Sequence, residues 1–303
     1  MSRIGAIAVT TALLAVACTP AEGAPTSTIP ETLTTVAPVT TLAPPSTTTS
    51  TTVPAVTTTT TAPLPENECE VAPITNNESY SQGCTVLGIK ILAAEEVNPA
   101  AVDELADRTY NMLVQRPEYA AAISEYPIGI RVIGVDQQIN KLPEFDEIYF
   151  HHPGTDWRRA GRSFPGTELI PYAAGAEENL LCSEDDRYVG EDMFLKDFAI
   201  TIRRFAMGAV DEATSHAIEQ AYGVAIAEGK WLNTLSEINS DQYWSEGVQS
   251  FFDANLENTE EDREPNSSHN HVNTRDELRE YDRALWAIAV SVFGDTEWRP
   301  SCS

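Results

Sequence analysis

Residues 19–65 constrain this chain more than any other stretch, because they cannot fold. They are almost entirely Thr, Pro, Ala, Val and Ser. Such a segment buries too little apolar surface to offset its chain entropy. Its prolines favour extended polyproline geometry, so the composition predicts a disordered, semi-rigid stalk. Any packed core must come from residues beyond 65. The expected organisation is a signal at 1–17, a stalk at 18–65 and one domain at 66–303.

Ahead of the stalk, the run "GAIAVTTALLAVA" at 5–17 follows Arg3 and ends at Cys18. It is too short to cross a bilayer as a mature helix and reads as a secretory signal. Its end, "LAVAC", resembles a bacterial lipobox, with Ala15 where Leu is usual. That resemblance implies cleavage before Cys18 and lipidation of its thiol. The expected location is the cell surface, with the membrane touched only through the lipid; simple secretion is the alternative.

The formal charge is −27. Only Arg3, Glu22 and Glu31 are charged before residue 66, which leaves −26 on the domain. A surface this acidic disfavours nucleic acid and anionic lipid as partners and promotes solubility. Four cysteines follow Cys18: Cys69, Cys84, Cys182 and Cys302. An even count in an exported chain points to two disulfides. Three pairings are open. The favoured one joins Cys69 to Cys84 at the domain entrance and Cys182 to Cys302 near the C-terminus. Zinc on four thiolates is disfavoured, because no C-x-x-C spacing occurs.

Within the domain, "TVLGIKILAA" (85–94) and "IGIRVIGV" (128–135) read as strands. Between them, 98–115 reads as a helix capped by Asn98, with Pro99 at its first position. Val102, Leu105, Ala106, Tyr110 and Leu113 recur at helical spacing along it. A short helix is expected at 117–125. Residues 136–190 show little periodicity, and an irregular stretch of that length usually covers a site. Helices are expected through 191–255, and a last one begins at Asn273 or Thr274. Early strands and late helices give an α+β class, with a small early sheet and a mainly helical later half.

Three motifs then stand in order: "GAEENLLC" (175–182), "DRYVGEDMFLKDFAITI" (186–202) and "YWSEGVQSFFDAN" (243–255). Together with "HNHVNTRDEL" (269–278), this series resembles secreted bacterial and fungal proteins of the zincin-like superfamily. In those proteins the middle motif reads H-E-F-A-H and a Y-[WF]-x-E-G-x-Q helix follows. The resemblance covers about 85–299. It implies a gluzincin-type metallopeptidase site, in which two histidines one helical turn apart and a glutamate from the next helix bind zinc, and the intervening glutamate activates water.

Carried onto this chain, the pattern breaks. Glu246 matches the third ligand. Lys196 and Ile200 stand where the histidines belong, and Asp197 replaces the base. A protonated amine offers no lone pair, and isoleucine has none. No cofactor is therefore expected, although the family implies zinc. A buried carboxylate without a counter-charge is costly. The expectation is a Lys196–Glu246 ion pair in place of the metal; the alternative is a solvated lysine on an ordinary amphipathic helix.

Other chemistry is weaker. His151, His152, Tyr243, Trp244, His269 and His271 are candidates to line a remnant cleft, and a relocated metal site would draw on Asp197, Glu246 and one of these histidines. The acids of "GAEENLLC" and "DRYVGED" are candidates for calcium, with loop scaffolding as the plainer role. No G-x-S-x-G elbow is present. Trp231, Tyr243, Trp244, Phe251 and Phe252 recur near helical spacings and read as core, with a peptide- or sugar-binding cleft as the alternative. Three functions stay open: a non-catalytic surface protein binding a peptide or cell-envelope component, a metallopeptidase with substitute ligands, and a structural domain on a stalk.

Overall fold

The computed structural model describes residues 64–126, 128–258 and 264–301. The expected signal, the stalk, the Cys18 lipidation site and Cys302 lie outside these residues. The described part is a mixed α and β fold built on a six-stranded sheet. Its strands are β1 (Ala72–Pro73), β2 (Gln82–Val86), β3 (Ile89–Ala93), β4 (Gly129–Ile133), β5 (Ser163–Pro165) and β6 (Tyr172–Ala176). Their spatial order is β1-β2-β3-β4-β6-β5. β3, β4 and β6 run parallel, and both margins are antiparallel.

Two expectations need correction here. The single strand expected at 85–94 is the end of the first arm, the turn and the second arm of a hairpin, with Val86 paired to Ile89 across Leu87 and Gly88. Both turn residues have positive φ, 47° and 83°. Such a two-residue turn matches the twist of the strands. Leucine is a rare occupant of that conformation, so the turn carries no sequence signal. The irregular stretch 136–190 in fact supplies β5 and β6, one edge of the sheet and its neighbour.

The longer helices are α1 (Pro99–Leu113), α2 (Pro117–Glu125), α3 (Met193–Thr201), α4 (Glu212–Ala227), α5 (Ser240–Phe251), α6 (Arg275–Tyr281) and α7 (Arg283–Phe293). The Asn98 side chain accepts from Ala100 N–H, as its capping position requires. Thr274 caps α6 through a reciprocal bond with Glu277. α3 continues through a π-helical segment, Ile202–Met207.

Strand alternation sorts the side chains into two clusters. Ile89, Ile91, Ile130 and Val132 lie in the main core, on the side of the sheet packed by α1. Ile133, Phe164, Ala174 and Ala176 face a smaller cluster formed by 139–170. β6 approaches α3 closely: a Cβ on Gly175 would lie 3.0 Å from that of Phe194. Cys69 and Cys84 are disulfide-bonded, tying the entrance of the domain to β2. Cys182 is also disulfide-bonded.

Candidate functional site

α3 and α5 pack directly on each other, and the broken motif lies at their junction. The Asp192 side chain starts α3 by accepting from Leu195 N–H at 2.8 Å. Asn239 starts α5 by accepting from Gln242 N–H at 2.9 Å. Lys196, on α3, points into the interface and its ammonium contacts Glu246 Oε1. Lys196 is 5% exposed and Glu246 2%, so this is a buried pair and not a surface contact. Burial alone would lower the Lys196 ammonium; the charge and hydrogen bond of Glu246 outweigh it and hold the group above its ordinary value. The expected ion pair is present, and the solvated-lysine alternative is not.

The rest of the junction is also filled. Ile200 is 2% exposed. Asn255 Nδ2 donates to Glu246 Oε2 at 3.3 Å and to Ser250 Oγ at 3.1 Å. His269 Nδ1 lies 3.8 Å from Glu246 Oε2, and its Nε2 lies 3.3 Å from Glu191 Oε1. The gap beside Glu246, bordered by Asn255, His269 and Val272, leaves no room for a water molecule.

Asp197 takes a separate path. Ser163 Oγ, on the edge strand β5, donates to Asp197 Oδ2 at 2.5 Å. Burial pushes the Asp197 carboxyl above its ordinary value, against the opposing pull of Ser163 and Lys196. Thr201 Oγ1 donates to Pro165 O from the next turn of the helix. β5 is thus bonded onto α3, and no trench separates edge strand from helix there.

Tyr243 and Trp244 are wholly buried, which is the core reading and not the cleft-lining one. Tyr243 OH donates to Asp282 Oδ2 at 2.8 Å, and Trp244 Nε1 donates to Ala199 O at 3.0 Å. Gln249 Nε2 donates to Asp192 O at 3.0 Å. A Cβ on Gly247 would meet Leu285 Cδ2 at 2.3 Å. Apart from Glu246, the named residues of the Y-W-x-E-G-x-Q pattern hold α5 against α3, α6 and α7. Trp231, Phe251 and Phe252 are core, as expected.

Of the candidate histidines only His269 reaches the junction. His151 lies 3.8 Å from Glu147 on its own helical turn. His152 packs edge-on to Trp157 and Phe164, and His271 edge-on to Tyr281. The acids proposed for calcium are engaged by protein donors. Glu177 accepts from Asn98 N–H and Val135 N–H, Glu178 pairs with Arg162, and Asp192 pairs with Arg108. Asn255, Ser250 and Ser163 carry no individual signal in the sequence, and Glu191, one of the acids of "DRYVGED", stands beside His269 at the junction. Asn255 and Ser250 lie inside the quoted third motif, and that placement was their only signal.

The junction does not fit zinc. An ammonium occupies Glu246 Oε1, and the two positions one helical turn apart offer no lone pair at all. Among the described residues no group of three or more His, Cys, Asp or Glu is placed to hold a metal ion. No helix among them is long and apolar enough to cross a membrane. Outside the junction, a cavity of about 670 Å³ opens beside the π-helical segment, bordered by Tyr126, Leu169, Arg204, Phe205 and Gly208. Tyr126 and Leu169 are exposed there. Comparison with known proteins finds no match among family models, curated proteins or solved structures.

Proposed function

We propose that this is an exported, zinc-free, zincin-like domain of gluzincin type, carried on a Thr/Pro-rich stalk behind a lipidated Cys18. It binds a peptide or cell-envelope component and does not cut one. The observation that carries this reading is the buried Lys196 ammonium on Glu246, with Ile200 buried one turn away. A zinc peptidase needs an open coordination position and an activated water at that place. The chain fills both with an amine and an aliphatic side chain.

Binding is assigned to the open cavity beside Tyr126 and Leu169, because the junction and the β5–α3 seam are closed. Exposed apolar side chains beside a concave surface are the usual setting for ligand contact. The test is elemental analysis of the purified full chain together with a peptide-cleavage assay. Neither stoichiometric zinc nor cleavage is expected. Stoichiometric zinc with cleavage would establish the metallopeptidase reading instead.

A further inference from the structure

A second cavity, of about 310 Å³, shares Tyr126 with the one assigned to binding. Strand alternation builds it. Ile89, Ile91, Ile130 and Val132 turn into the main core, so Lys90 on β3 and Arg131 on β4 turn to the other face of the sheet. Ile91 pairs with Ile130 and Gly129 with Tyr172, which sets Lys90, Gly129 and Tyr172 side by side across β3, β4 and β6. The middle position has no side chain, and the Arg131 guanidinium takes its place: a Cβ on Gly129 would lie 2.6 Å from Arg131 Nη1. Arg131 is itself engaged. Its Nε donates to Glu144 Oε1 at 2.8 Å, and its guanidinium lies 4.7 Å from the centre of the Tyr172 ring.

Lys90 differs from Arg131. It is exposed, and among the described residues its ammonium has no carboxylate partner. Neither aspartate nor glutamate borders the cavity, although the domain is strongly acidic. An anion that is repelled over most of this surface meets a free ammonium here, with Arg131 behind it. At the shared wall, the Tyr126 ring packs 5.3 Å from that of Phe205. Phe205 belongs to the π-helical segment, a rare geometry that recurs at functional sites. Arg204, from the same segment, is committed to Asp241 Oδ2 at 2.9 Å and to Gly166 O at 3.0 Å. An apolar cavity thus adjoins an unpartnered cation across one aromatic ring.

We infer that the two cavities together recognise a peptide carboxylate. An apolar side chain sits beside Leu169 and Phe205, and a carboxylate one residue further along meets the Lys90 ammonium. The inference rests on the reading that the Tyr126–Leu169 cavity binds a peptide, and it adds which peptides are chosen. The carboxylate is either the C-terminus or an acidic side chain, since both present the same group to Lys90.

The test is calorimetric titration of the full chain with three peptides: acetyl-Ala-Phe-Ala ending in a carboxylate, its C-terminal amide, and acetyl-Ala-Phe-Asp amide. At least one of the two acids is expected to bind about tenfold more tightly than the neutral amide, the worth of a hydrogen bond between charged groups. The acid that gains names the source of the carboxylate. In Lys90→Gln, which shortens nothing essential to the strand and removes the charge, that gain is expected to vanish; in Lys90→Arg it is expected to persist. Equal affinity of the wild-type chain for all three peptides overturns carboxylate recognition and leaves the peptide reading standing. A gain that survives in Lys90→Gln overturns it as well. If none of the three binds, the peptide reading falls together with the inference.

Discussion

Glu246 reaches out of α5 and meets the Lys196 ammonium of α3, and both side chains are buried. Two buried ions are tolerated only as partners. Lys196→Met would leave the carboxylate buried without a counter-charge, a change that typically costs about 3–5 kcal/mol. Chemical denaturation is expected to show a loss of that size, and a smaller one for Lys196→Arg, which keeps the charge.

Asp197 is expected to make stability depend on pH. Its carboxyl titrates above the ordinary aspartate range because it is buried. The folded state therefore binds its proton more tightly than the unfolded state does. The contribution favours folding at low pH and is lost as pH rises from the unfolded value through the folded one. Asp197→Asn removes this charge and still offers Ser163 an acceptor. The melting temperature of the variant relative to wild type is expected to rise across that interval. A constant difference would show that Asp197 ionises as freely folded as unfolded.

Gly247 tests the packing of α5 on α7. Leu285 is fully buried, and its Cδ2 and Cγ lie 2.3 and 2.7 Å from where a Cβ would stand. Overpacking of this kind costs about 1–3 kcal/mol, against a gain of about 1 kcal/mol for alanine over glycine in a helix. Gly247→Ala is expected to be net destabilising in thermal melts, although the same change on an exposed helix face stabilises.

The Cys69–Cys84 bridge closes a short loop, with a sequence separation of 15. Loop entropy assigns such a bridge about 3 kcal/mol. The double change Cys69→Ser with Cys84→Ser is expected to lower the unfolding free energy by about that amount and to leave the Lys196–Glu246 junction in place.

What the sequence disclosed came from local rules. Helical periodicity and the Asn98 cap located α1, and four-residue spacing put Lys196 and Ile200 on one face of α3. The Lys196–Glu246 contact was legible because an unpaired buried carboxylate demands a partner and lysine occupied the right register. Non-local arrangements were hidden. His269 reaches Glu246 because its loop is bonded to 233–235, through Ser267 N–H to Asn233 O and Leu235 N–H to Ser268 O. Helical spacing marked Tyr243 and Trp244 as core or cleft alike; the acceptors that settle them inside, Asp282 and Ala199 O, are non-local. The hairpin at β2 and β3 was invisible because leucine gave no hint of positive φ.

The central claim is that an amine and an aliphatic side chain stand where two metal-binding imidazoles would fit, opposite a third ligand still in place. The most direct test replaces them: Lys196→His, Asp197→Glu and Ile200→His in the full chain, with equilibrium dialysis against zinc and elemental analysis as the readout. One zinc per folded chain is predicted for the triple variant, removed by adding Glu246→Ala. A folded triple variant that takes up no more zinc than wild type would contradict the claim.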